Sequence, residues 1–160
     1  MDAESGWVVV NVGRWHHLET HQPKERILKN KSAINSHSET SRMIAHIVKR
    51  SEWAEALGRG SYAHDSLRAE GFVHCSTLAQ VIDTANRFYR GQDDLVVLCI
   101  DESRLNAELK YEPPTMQHDE PAGALFPHLY GELNVDAVVR VVALPCDADG
   151  SFRLPDELRE

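Results

Sequence analysis

The chain has 160 residues, enough for one domain with its own core, and 42% of them are hydrophobic, an ordinary share for a globular protein. Its formal charge of −8 makes a nucleic-acid surface a poor default, although a local basic cleft would still be compatible with it. No apolar run reaches the roughly 20 residues that span a bilayer; the three cysteines are odd in number, far apart and form no CxxC pair, which points to a reducing cytoplasm.

Residues 1–42 differ from the rest. The opening GWVVVNVG lacks a basic leader and a small-residue cleavage site, so it makes a poor signal peptide. The polar stretch after it has no sustained period and holds four of the nine histidines. Such a segment buries too little apolar surface to offset its ordering entropy, so a disordered extension is expected here. The spacing of His17, Glu19 and His21 is not HExxH, and these residues read as solvated. The texture changes at Met43, which is expected to be a natural start for a domain spanning 43–155, with 156–160 as a tail. The domain carries most of the negative charge.

From Met43 the elements follow in order. Ile44–Val48 reads as a strand with Ile44, His46 and Val48 on one face. Ser51 suits the N-cap of a helix through SEWAEALG, with Trp53, Ala56 and Leu57 on its buried face and Gly58 or Gly60 at its end. A polar loop covers 60–71. Gly71 opens the strand FVHC, along which Phe72 and His74 share a face. Thr77 and Gln80 fit a capping box, and Leu78, Val81, Ile82, Ala85, Phe88 and Tyr89 recur at helical spacing. LVVLCI, 95–100, is a buried strand by length and valine content. LKYE, 109–112, alternates until Pro113-Pro114 stops it. LFPHLYG, 125–131, reads as a shaped turn. AVVRVVAL within 135–144 is strand-like, and DADG, 147–150, turns into a closing hairpin with FRL. Strands outnumber helices without strict alternation, so the fold class is α+β: a single domain of two small, mostly antiparallel sheets with two main helices.

Several residues carry chemistry. His74 lies beside the core and suits proton transfer or a fixed hydrogen bond to a ligand hydroxyl. Ser76 or Thr77 starts a helix whose open amides suit a phosphate. Cys75 precedes that helix, but adjacent strand residues face opposite ways, so His74 is badly placed to activate it. His46 and His128 come from separate elements. The spacing of the three histidines does not mark a metal site, and no metal is expected. Glu112 and Glu132 are the nearest acids.

Taken together, HIV at 46–48, GSYxxxSL at 60–67, EGFVHCST at 70–77, ANRFY at 85–89 and FPHLYG at 126–131 resemble a bacterial family of domains of unknown function, number 952. The resemblance covers about residues 43–155, in family order; Ala45 replaces the family's usual aromatic. It implies an ADP-ribosyltransferase-like fold in which two small sheets grip NAD in a cleft. On that resemblance His46 holds a ribose, Tyr62 stacks on a ring, Ser76 and Thr77 receive phosphate with Tyr130 at the ligand, and Glu112, His128 or Glu132 assists departure of nicotinamide. The implied partner is a small nucleotide-like molecule, transferred or hydrolysed, with the acceptor open. The alternatives are a non-catalytic sensor in the same cleft, a phosphate-transferring enzyme akin to the RNA phosphotransferase branch, and a three-histidine metal hydrolase.

Overall fold

The computed structural model describes residues 42–116 and 120–159. The expectations for the segment before Arg42 lie outside the described residues. The centre is a four-stranded antiparallel sheet, built from β1 (Met43–Lys49), β4 (Ser76–Thr77), β5 (Leu95–Asp101) and β9 (Val138–Leu144) in the order β4-β1-β5-β9. A three-stranded sheet, order β3-β7-β6, combines β3 (Val73–His74), β7 (Phe126–Tyr130) and β6 (Glu108–Glu112). A two-stranded ribbon joins β2 (Ser61–Tyr62) to β8 (Leu133–Asn134). The helices are α1 (Arg50–Arg59), α2 (Asp65–Glu70) and α3 (Val81–Phe88). The domain is therefore a small α+β unit of mostly antiparallel sheets; among the described residues there are three sheets in place of two, and the short α2 joins the two expected helices.

The central sheet is covered on both faces, which is why LVVLCI is apolar at every position rather than at alternate ones. On one side Ile44, Val48, Val96, Leu98 and Ile100 pack against Trp53 and Ala56 of α1 and against Val73, Leu129 and Leu133 of the smaller sheets. On the other, Ala45, Ile47, Val97 and Cys99 meet Val81 and Ala85 of α3, with Phe152 and Leu158 from the C-terminal segment. The α1 face is narrower than expected, since Leu57 is exposed.

Four local expectations are corrected. The 60–71 loop contains β2 and α2, because His64 caps α2 by accepting from the Ser66 amide at 3.1 Å. Residues 126–130 form the central strand of their sheet instead of a turn. Pro127 is tolerated there because its carbonyl still accepts the Cys75 amide at 2.9 Å, and only a donor is lost. The capping box forms, with the Thr77 amide donating to Gln80 Oε1 at 3.0 Å and the Gln80 amide to Thr77 Oγ1 at 3.3 Å, but Thr77 belongs to β4 and regular helix begins only at Val81. The turn at 147–150 closes, the Gly150 amide meeting the Asp147 carbonyl at 2.9 Å, yet 151–155 forms no strand.

The sheets part at one place. β4 pairs with β1 only at Ile44↔Thr77 and Ala45↔Ser76. One step further the chain leaves the central sheet, and β3 pairs instead with β7. The gap is tied by His46, whose Nδ1–H donates to the His74 carbonyl at 2.7 Å. A carbonyl only accepts, so Nδ1 carries the proton and Nε2 accepts from the Tyr62 hydroxyl, 3.1 Å away. One side chain thus joins the central sheet, the three-stranded sheet and the ribbon.

Two outcomes follow for stability. Leu98→Ala, in the middle of β5 and fully buried, is expected to cost about 2–5 kcal/mol in urea unfolding. Burial holds His46 down at about 4, against the opposing pull of the His74 carbonyl. The unfolded chain therefore takes up this proton first. The stabilisation is complete above about pH 6.5 and is lost as the pH falls from there through 4, by about 3 kcal/mol at most. Urea midpoints measured across that window should fall more steeply for the wild type than for His46→Gln; parallel curves would remove His46 as the cause.

Candidate functional site

Strand alternation sorts the three-stranded sheet into two faces. The register sets His74 opposite His128, Val73 opposite Leu129, and Lys110 opposite His128 on the other side. Val73 and Leu129 therefore face the core, while Phe72, His74, Phe126, His128, Tyr130 and Glu112 share the other face. On that face Phe72 stacks on the His128 ring, with centroids 4.1 Å apart and planes 19° from parallel. The rings of His74 and His128 meet edge to face at 5.3 Å.

Each of these two histidines is held by its own carboxylate. His128 Nδ1 donates to Glu112 Oε2 at 2.9 Å. The same oxygen accepts the Tyr130 hydroxyl at 2.7 Å. These two hydrogen bonds, Tyr130 first, hold the Glu112 carboxyl below its ordinary range and raise the Tyr130 phenol. His74 Nε2 lies 3.1 Å from both oxygens of Glu70. Glu70 ends α2, and Gly71, at φ 91°, reverses the chain so that β3 returns His74 to it. The two pairs differ in access: the His128 side chain is 2% exposed and that of His74 41%.

A cavity of about 250 Å³ opens where the sheets part. His46, His74, His128 and Ser76 all line it, so His46, 28 positions before His74, and His128, 54 positions after it, do converge with it. His64, Ser66, Glu70 and Glu120 line it as well, and Phe88, Met116 and Phe126 supply apolar wall. These were missed from the sequence, although His64-x-Ser66 is a capping pattern and Glu70 stands four residues before His74.

Of the other candidates, Ser76 and Cys75 border the cavity and the rest do not. Tyr62 is not among the lining residues; it is buried and gives its hydroxyl to His46, so it presents no ring face for stacking. Glu112 and Tyr130 also stand behind His128 rather than at the cavity. The Thr77 amide is closed by Gln80, and Ser76 Oγ is bonded to Thr84 Oγ1 at 3.0 Å, so neither the amide nor the hydroxyl stands open to a phosphate. Glu132 accepts from Ser61 Oγ at 2.6 Å, away from the lining. Cys75 is buried, and burial pushes its thiol up to about 12, so it is no nucleophile at neutral pH. Among the described residues no group of three or more His, Cys, Asp or Glu side chains is placed to hold a metal ion. To become a ligand through Nε2, His46 would have to give up its hydrogen bond from the Tyr62 hydroxyl.

No curated protein matches the chain. Among solved structures, the crystal structure of protein CC0527 from Caulobacter crescentus is 37% identical, with a TM-score of 0.65 over 74% of this chain and 99% of that one. The solution NMR structure of CC0527 from the same organism is 37% identical over 73% of this chain and 97% of that one, at a TM-score of 0.61. These likenesses extend across nearly the whole of the relative. The sequence model of the family described as "Protein of unknown function (DUF952)" matches residues 47–141, more than half of the sequence, and the chain belongs to that family.

Proposed function

We propose that the cleft binds NAD or a related ADP-ribosyl-like molecule and transfers or hydrolyses it, on an ADP-ribosyltransferase-like plan of two sheets flanking one site. The observation that carries this reading is the pair of carboxylate-held histidines facing each other at 5.3 Å on the cavity wall. Such a pair suits proton transfer at a sugar or leaving group. Sites for drug-sized ligands run about 300–1,000 Å³. At about 250 Å³ the cavity takes one nucleoside-sized end of a dinucleotide, and the rest lies across the rim.

The roles divide by geometry. With Nδ1 turned onto Glu112, Nε2 is the nitrogen of His128 left to meet a ligand, which makes His128 the catalytic group. Glu112 fixes that tautomer and is a positioning residue, as is Tyr130 behind it. His74 binds or shares the proton. His46 shapes the wall and ties the sheets, and does not hold a ribose. A reducing cytoplasm is part of the same proposal, supported by Cys75, Cys99 and Cys146 all standing as free thiols. Among the described residues no helix is long and apolar enough to cross a membrane.

The test is nicotinamide release from NAD with water as acceptor, alongside calorimetric titration with NAD. Wild type is expected to bind and cleave; His128→Ala should lose about 10²–10⁴-fold in rate. Glu112→Gln should lower the rate and move its pH profile. Binding without turnover in every arm would leave a sensor domain, and no binding at all would end the reading.

A further inference from the structure

The charge of the cavity wall has a consequence for what can enter. Among the described residues lining it, none is Lys or Arg, while Glu70 and Glu120 both are present. Arg87, which is not among the lining residues, is engaged in an ion pair with Glu120. The histidines supply little compensating charge. His46 is buried with Nε2 accepting from Tyr62, a role open only to the unprotonated nitrogen. His64 Nδ1 likewise accepts from the Ser66 amide. His74 and His128 each face a carboxylate of their own. At the feature expected to receive phosphate, the start of the helix after Ser76, the amides of Thr77 and Gln80 are already taken by each other's side chains.

We infer that the fragment seated in this cavity is uncharged or cationic and donates hydrogen bonds, and that any phosphate of the ligand stays outside it. This rests on reading the cavity as a nucleotide-fragment site and specifies which fragment it takes. Placing a phosphate dianion here, where Glu70 and Glu120 already hold His74 and Arg87 and the described lining offers no further cation, carries a desolvation cost that no new charge pair offsets. A ring bearing positive charge or N–H and O–H groups meets acceptors instead: the Glu70 carboxylate at the mouth and His128 Nε2 in the wall. The apolar side chains of Phe88, Met116 and Phe126 suit the body of such a ring.

The experiment compares nicotinamide riboside, which is cationic and has no phosphate, with its 5′-monophosphate, by calorimetry on the full chain at neutral pH. The riboside should bind at least as tightly as the monophosphate, and millimolar inorganic phosphate should not displace it. Glu70→Gln keeps the hydrogen bond to His74 but removes the charge, and should weaken the riboside roughly two- to fivefold. A monophosphate bound tenfold more tightly than the riboside, or displacement by phosphate, would overturn the inference while leaving the NAD reading standing. If neither nicotinamide compound nor NAD binds, the reading and the inference fall together.

Discussion

The hydrogen bond from His46 to the His74 carbonyl is the constraint on which the rest of the structure depends. Two antiparallel sheets cannot share one strand edge for long if their strands head in different directions. Here the shared edge lasts two residue pairs, and then the chain from Ser76 back to Val73 changes sheets. Every backbone group along the parting edges needs a partner. A histidine is suited to this place because one ring offers a donor and an acceptor on opposite sides, and Tyr62 uses the second. A buried polar bridge fixes geometry only when all its members are satisfied. This one is, and the cavity is the space it holds open.

The wall of that cavity is polar without being strongly charged. Both ring nitrogens of His46 and Nδ1 of His64 are committed to neighbours, and His74 and His128 are each balanced by a carboxylate. Four histidines gathered in one place would repel if all were protonated. Distributing acceptors among them removes that conflict and gives each ring a defined tautomer. The one ring lone pair of His46, on Nε2, is directed at the Tyr62 hydroxyl rather than toward the other histidines.

The faces of the site were legible in the sequence, and the contacts were not. Alternation along FVHC set Phe72 and His74 together, and the two rings do meet, at 4.8 Å. The same alternation in FPHLY puts Phe126, His128 and Tyr130 on one side, but Pro127 concealed the strand, because proline normally breaks a ladder. No local pattern could reveal that His74 sits opposite His128, since register across 54 residues is decided by tertiary packing. Nor could any local pattern show that Tyr62 is covered by β8, more than seventy residues later. The capping box at Thr77 was read correctly as a set of hydrogen bonds and wrongly as an open anion site, because a box that closes is by that fact no longer open.

The two histidine–carboxylate pairs are chemically alike and differently placed, and that asymmetry bears on mechanism. His128 is sealed beneath Phe72 and against Glu112, so its protons exchange through the cavity. His74 and Glu70 stand at the mouth, each with 41% of the side chain exposed, where water competes for their hydrogen bonds. Interactions in the dry wall are stronger and better fixed than those at the mouth. A ligand that fills the cavity would cover His128 first and take the water from His74 last. On the proposed reading, His128 is the better fixed of the two rings and His74 the one left in contact with water, a division set by burial and not by the identity of the residues.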